Sequence, residues 1–285
     1  MQKPAKYYDS SNMTEEDVKV LPHQELEYFD GKIKIYATLN TDQDKLRDNI
    51  KENISRGHEQ IWAWKDQDTN VCMVGGGPSL LDTIEEIREA QNNGAKVVAL
   101  ANTAHVLFEN GITPSAHVLV DAKPNNANFI EDLDIPYFIA SQCDPTVFDK
   151  LEKAGRKVYI WHAVNDADEF KVIHDQYEKW IPIQGGPTIM LRALRLFSVL
   201  GYHKFEIFGF DSCMLEGKHH AYDQEAADGD KAVKIGCNGR DFDVTGQQVS
   251  QAMEFMNMVK VFGQNWKMLV HGNGLINHLI RTGAR

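Results

Sequence analysis

The stretch CMVGGGPSLLDTI, residues 72–84, decides how the rest of the chain reads. A short apolar run, Cys72-Met73-Val74, meets three glycines, a proline and a serine, and a helical pattern follows. That is the sequence form of a buried strand turning tightly into a helix. The free N–H groups and dipole at a helix start suit an anion, and glycine lets the backbone come close to it. Proline costs nothing at the first helical position. The same form returns in IPIQGGPTIMLRALRLF, residues 181–197. Gly75, Gly76, Gly77, Pro78 and Ser79, and again Gly185, Gly186 and Thr188, are therefore expected to cradle a phosphate or carboxylate. On the carboxyl edge of a doubly wound sheet the two turns would face one crevice. The alternative is a pair of tight turns with no ligand.

Working outward, apolar runs fall at 71–74, 97–101, 117–120, 137–140, 158–161 and 205–210, and helical patterns at 79–92, 103–110, 145–154, 168–179 and 188–200 separate most of them. Short all-apolar runs alternating with helices predict an α/β fold: a doubly wound, mainly parallel Rossmann-like sheet with helices on both faces. AVKIGCNGRDFDVTG, residues 232–246, breaks the rhythm, and its Asn238-Gly239 predicts a β-hairpin. A helix over 246–262, a strand with the glycine turn HGNG, and a last helix complete the pattern. Residues 1–68 read as an N-terminal extension: a polar arm to about residue 30, a strand at Lys32–Ala37, and a helix from 41 with Thr41 as its N-cap. Residues 69–285 form the main domain.

The chain has 285 residues and a net charge of −11, which argues against a general nucleic-acid or anionic-membrane binder. No apolar run approaches the ~18 residues of a membrane span, and the first residues show no secretion signal. Cys72, Cys143, Cys213 and Cys237 form no C-x-x-C pair, so free thiols in a reducing cytoplasm are expected. The partners expected are a small-molecule nucleotide and an acceptor substrate, and a homo-oligomer stays open.

Familiar glycine motifs fail. There is no G-x-x-x-x-G-K-[ST], Leu80 stands where a dinucleotide fingerprint needs its third glycine, and the next strand ends in Asn102 rather than an acid. Asn102, with Thr103 beside it, is a candidate contact to a base or sugar. Asp121 and Asp211 each end an apolar strand. Together they would hold Mg²⁺ with phosphate oxygens, or one would act as general base; the plain alternative is a capping aspartate. In GKHHAYD, residues 217–223, His219, His220 and Tyr222 are placed to neutralise phosphate or protonate a leaving group, against a solvated loop as the other reading. Lys123 is a phosphate partner or a surface lysine. His271 borders the same crevice or packs at a strand end, while His105 and His117 read as core or edge residues.

The ordered set GGGPSL, ALANTA, GITPSAHVLVD, GGPTIMLRALRLFSVLGYHKFEIFGFD and HAY resembles the archaeal 6-hydroxymethylpterin diphosphokinases of the MptE-like family. Similar domains occur in motility-associated flagellin glycosyltransferases, and the first turn looks like that of CMP-sialic acid sialyltransferases. The resemblance covers residues 70 to 222 and implies a nucleotide-dependent transferase. In one branch ATP and Mg²⁺ deliver a diphosphate to a pterin hydroxymethyl group; in the other a CMP-sugar donates a nonulosonic acid. It implies that Gly75 to Ser79 and Asn102 touch the nucleotide, that Asp121 and Asp211 flank phosphate or metal, and that Thr188 and His220 lie near the transferred group. A non-catalytic nucleotide-binding module is the third reading.

Overall fold

The computed structural model describes residues 24–28, 31–35, 41–186, 188–222 and 232–283. Its centre is a sheet of nine strands in which every pairing is parallel. In chain order the strands are β3 (Glu59–Gln60), β4 (Gln67–Val74), β5 (Lys96–Leu100), β6 (Ala116–Leu119), β7 (Tyr137–Ala140), β8 (Val158–Ala163), β9 (Pro182–Ile183), β10 (Tyr202–Phe208) and β13 (Lys267–Val270). They lie side by side as β13-β10-β4-β5-β6-β7-β8-β3, with β9 also paired to β8. Two antiparallel hairpins stand apart, β1 (Gln24–Tyr28) with β2 (Gly31–Ile35) and β11 (Val233–Cys237) with β12 (Arg240–Val244). The second is the hairpin expected from Asn238-Gly239, both of whose φ angles are positive, at 44° and 80°.

Helices α1 (Gln43–Ser55), α2 (Ile84–Asn92), α3 (Thr103–Glu109), α4 (Pro145–Lys153), α5 (Ala167–His174), α6 (Ile189–Val199), α7 (Gly246–Phe262) and α8 (Leu275–Thr282) surround the sheet. The central strands show why both faces are covered. Successive side chains of a strand point to opposite faces. Val71 and Met73 of β4, Val98 and Leu100 of β5, and Phe205 and Ile207 of β10 join the core that contains α6 and α7. Their neighbours Cys72, Val74, Val97, Ala99 and Phe208 join a second cluster with Leu80, Ile84 and Ile87 and with Ala104, Val106 and Leu107 of α3. At about 25 cal/mol per Å² of apolar area, two buried faces are the main reason these runs hold together as strands.

Several elements depart from expectation. The N-cap of α1 is Asp42, not Thr41: its carboxylate accepts from the amides of both Asp44 and Lys45. The helical part of the N-terminal extension, whose packing the sequence leaves open, contacts the main fold. Asn53 of α1 donates to the carbonyls of Ser141 and Cys143, Asn49 donates to that of Gln142, and β3 pairs with β8. Helix α5 ends at His174 rather than 179. The strand expected at 32–37 is β2, and it pairs with residues read as part of the arm; the first 23 residues of that arm lie outside the described residues. All four cysteines are buried free thiols. Among the described residues no helix is long and apolar enough to cross a membrane.

Candidate functional site

From β4 the chain steps outward through β5, β6, β7 and β8, and α6 then returns it to β10 on the other side of β4. The strand order reverses between β4 and β10, and such a reversal opens a crevice outside the carboxyl ends of the two strands. Three turns border it: Gly75–Ser79 after β4, Gly209–Asp211 after β10, and His271–Gly274 after β13.

The first two turns interlock. Gly75 N–H donates to Phe208 C=O (2.9 Å) and Gly77 N–H to Gly209 C=O (2.7 Å). A Cβ on Gly77 would stand 2.5 Å from Asp211 Oδ2 and 2.7 Å from Gly209 O, so glycine is required there by the neighbouring backbone. Leu80 N–H donates to Gly77 C=O and Ser79 N–H to Asp211 Oδ2, both at 3.0 Å. The amides expected to cradle an anion are thus satisfied from within the fold. Of this turn, only the Gly76 amide makes no hydrogen bond among the described residues. The same bonds delay the helix: residues 81–83 form a 3-10 turn and α2 begins at Ile84, not at 79.

Asp211, expected at the crevice as a metal ligand or base with a capping aspartate as the alternative, is enclosed beside the first turn. It is 2% exposed. Oδ2 accepts from Ser79, while Oδ1 has no hydrogen-bond partner among the described residues and is walled in by Gly274, whose added Cβ would come within 2.6 Å of it. Burial raises its pKa, against the Ser79 amide, which lowers it. A carboxylate so enclosed holds the first turn through Ser79. Asp121 is exposed and follows β6. Two strands, β4 and β5, separate β6 from β10. At ~4.8 Å per strand the two strand ends are about 14 Å apart. Magnesium bonds oxygen at about 2.1 Å, so the pair does not fit one shared ion. Among the described residues no group of three or more His, Cys, Asp or Glu side chains is arranged to hold a metal.

Asn102 and Tyr222 meet at the crevice. The Tyr222 hydroxyl donates to Asn102 Oδ1, and Ala221 N–H donates to Gly76 C=O (3.1 Å), so the HAY segment lies over the first turn. His220 is half-buried, and burial, its largest influence, lowers its pKa, with His219 adding to the effect. Its ring lies 6.0 Å from that of Tyr222. Thr103 does not reach the crevice. Its hydroxyl is fully buried, accepting from Leu100 N–H (2.9 Å) and within 3.0 Å of the Val74 carbonyl, where it ties β4 to β5. His271 stacks on Phe208 at 4.0 Å and pairs with Glu206. His117 is a core residue whose pKa burial lowers to about 4. His105 instead lies on the surface between Glu109 and Glu131.

The second turn, Gly185–Thr188, stands on the same edge but after β9, with four strands between it and β4. Helix α6 leads back from it, and Met190 reaches the first turn, its Cε 3.1 Å from a Cβ placed on Gly75. Thr188 caps α6 by accepting from Leu191 N–H (3.4 Å). Arg192, which the sequence reading passed over, braces this turn. Its Nε donates to Gly186 C=O (3.1 Å), Nη1 to Ile183 C=O (3.4 Å), and Nη2 to Asn165 Oδ1 (2.5 Å). Asn165 in turn donates from its backbone to Glu169 Oε2 (2.8 Å) and from its side chain to Gln142 Oε1 (3.1 Å). Burial pushes the Glu169 carboxyl up to about 7 and pulls the Arg192 guanidinium down to about 10. A helical pattern alone gives no sign of this network; only its members' convergence from α5, α6 and three strand ends reveals it.

The model of the family described as 6-hydroxymethylpterin diphosphokinase MptE-like matches residues 44–217. The match takes in more than half of the chain, including both glycine turns, Asn102, Asp121 and Asp211, and the chain belongs to that family. No curated protein matches the sequence. Among solved structures, the MAf glycosyltransferase from Magnetospirillum magneticum AMB-1 aligns with 18% identity and a TM-score of 0.61, covering 83% of this chain and 38% of its own. The present chain therefore spans well under half the length of that protein. A mammalian sialyltransferase aligns over 79% of each chain with 13% identity and a TM-score of 0.40. At 18% identity the likeness to the MAf structure is one of fold.

Proposed function

We propose that this member of the family is a nucleotide-dependent transferase working at the crevice between β4 and β10. The observation that carries the reading is a coincidence of place. The family match spans the one point where the strand order reverses, and the glycine turn and Asn102 sit at that point. Doubly wound sheets bind their ligands at such points. In the first reading the donor is ATP and the product a pterin diphosphate, after the family's description. Such a transfer asks little covalent work of the protein beyond position and charge neutralisation. Since Asp121 and Asp211 do not fit one ion, this reading keeps magnesium only as part of the Mg·ATP substrate.

The second reading, a CMP-nonulosonate glycosyltransferase, draws on the name of the aligned MAf structure and on the same carboxylate geometry, which suits a metal-independent transfer. His220, whose ring lies 6.0 Å from that of Tyr222, is then the group that would move a proton. Thermal shifts with ATP, GTP, CMP and a CMP-sugar, each with and without Mg²⁺, separate the two. Metal-dependent stabilisation by ATP is expected for the diphosphokinase and metal-independent stabilisation by CMP for the glycosyltransferase. A flat response to all four nucleotides overturns both.

A further inference from the structure

The crevice at the strand reversal is filled from within. The segment Gly217–Tyr222 folds back over the first glycine turn, held by the Ala221 bond to Gly76 and the Tyr222 bond to Asn102. The phenol lies so close to Gly76 that a Cβ there would overlap its hydroxyl, with Cζ at 2.8 Å and Cε1 at 3.1 Å. Ala221 and Tyr222 also pack on the apolar cluster formed by Val74, Leu80, Ala99 and Ala104. Burial raises the phenol pKa, so the hydroxyl stays a neutral donor. A planar ring carrying one hydrogen-bond donor thus covers the Gly76 backbone and satisfies Asn102, whose side chain caps no helix amide.

The seating is not free of cost. In the same segment His220 Nδ1 is buried with no hydrogen-bond partner among the described residues, a group that would regain water if the segment lifted. The covered contacts are those a nucleobase can use: a flat face against a residue without a side chain, an unpaired amide at Gly76, and an amide oxygen that accepts from a ring amino group.

We propose that Tyr222 is an internal competitor for the donor nucleotide. A ligand whose planar ring carries an N–H donor takes the place of the phenol over Gly76 and its bond to Asn102, and ligand and seated tyrosine exclude each other. The inference rests on the nucleotide reading of this crevice and names the group that nucleotide must displace.

The test compares wild type, Tyr222→Phe and Tyr222→Ala by calorimetric titration with CMP and with ATP, each with and without Mg²⁺. Loss of one neutral hydrogen bond from the competitor is expected to tighten binding to Tyr222→Phe by roughly threefold to tenfold. Hydrogen exchange supplies a second readout: in wild type the Ala221 amide, protected by Gly76, exchanges faster once nucleotide is added. Binding that is equal or weaker in the variants, or an Ala221 amide that slows, overturns the competitor while the transferase reading stands. Failure of both nucleotides to bind any of the three proteins overturns both together. Should Tyr222→Ala fail to fold, the Phe variant and the wild-type exchange decide alone.

Discussion

The two Gly-Gly-Pro turns look alike in sequence and are built differently. At Gly75–Ser79 the neighbouring turn crowds in: Gly209 and Asp211 press against Gly75 and Gly77, and the amides of Gly75, Gly77 and Ser79 are spent on the oxygens of Phe208, Gly209 and Asp211. At Gly185–Thr188 a side chain, Arg192, does the bracing. Arg192 gathers the carbonyls of Gly186 and Ile183, and a Cβ on Gly186 would meet Leu191 Cδ1 at 3.1 Å and Cβ and Cγ of Glu254 at 3.4 Å. The lesson is that a glycine-rich turn before a helix reports a crowded backbone first. An anion site follows only if the amides are left over, and here the first turn leaves over just one.

The contrast can be broken most forcefully at Gly77. Its substitution by alanine sets a methyl against two fixed groups, a backbone carbonyl and an enclosed carboxylate. We expect Gly77→Ala to cost about 3–5 kcal/mol in urea unfolding. A cost below about 1 kcal/mol would show that the turns can part and that their interlock has been overstated.

The next largest effect is a pH dependence in the second turn's network. Glu169 has a folded pKa of about 7 against an ordinary 4.5. Because the folded value is raised, the stability linked to this proton is complete below about pH 4.5 and is lost as the pH climbs to about 7. The loss is about 3 kcal/mol. Glu169→Gln should flatten that slope; an identical stability profile in variant and wild type would refute the assignment.

Arg192→Met removes three donors from the same network, and about 2 kcal/mol of stability should go with them. If the turn is what Arg192 holds, exchange of the amides around Gly186 should rise while those around Gly76 stay unchanged. Smallest is Gly185→Ala, where the new methyl meets Arg192 Cα and Leu191 O at 3.0 Å, and a slight shift of the helix start can relieve it. About 1 kcal/mol is expected, well below Gly77→Ala. Equal costs at the two glycines would erase the distinction between the turns.

Much of this molecule is legible in its sequence. Apolar runs such as Val71–Val74 and Val97–Leu100 can be buried on both faces only in a parallel sheet between helices. Asn238-Gly239 specifies its hairpin because both residues tolerate positive φ. The strand ends at Asp121 and Asp211 are equally readable, as is the change of rhythm after residue 230. These features depend on periods of two and 3.6 residues and on local backbone preference, which act over a few neighbours along the chain. Two-residue strands such as β3 and β9 are too short to show any period, and the cap at Asp42 competes with an equally good candidate one residue away.

What only the tertiary structure decided is which polar groups remain free. Asp211 reads as a carboxylate facing the crevice until the turn after β13 brings Gly274 against it. Thr103 reads as a ligand contact until β4 supplies the carbonyl that occupies it. The amides of Gly75, Gly77 and Ser79 read as an anion cradle until β10 comes to lie alongside. Hydrogen-bonding capacity is consumed by whatever packs nearest, and those partners lie from 29 residues (Val74 for Thr103) to 132 residues (Asp211 for Ser79) away along the chain. Sequence determined the sheet and the edge where chemistry can occur; packing determined that Gly76, Asn102 and Tyr222 are what that edge presents.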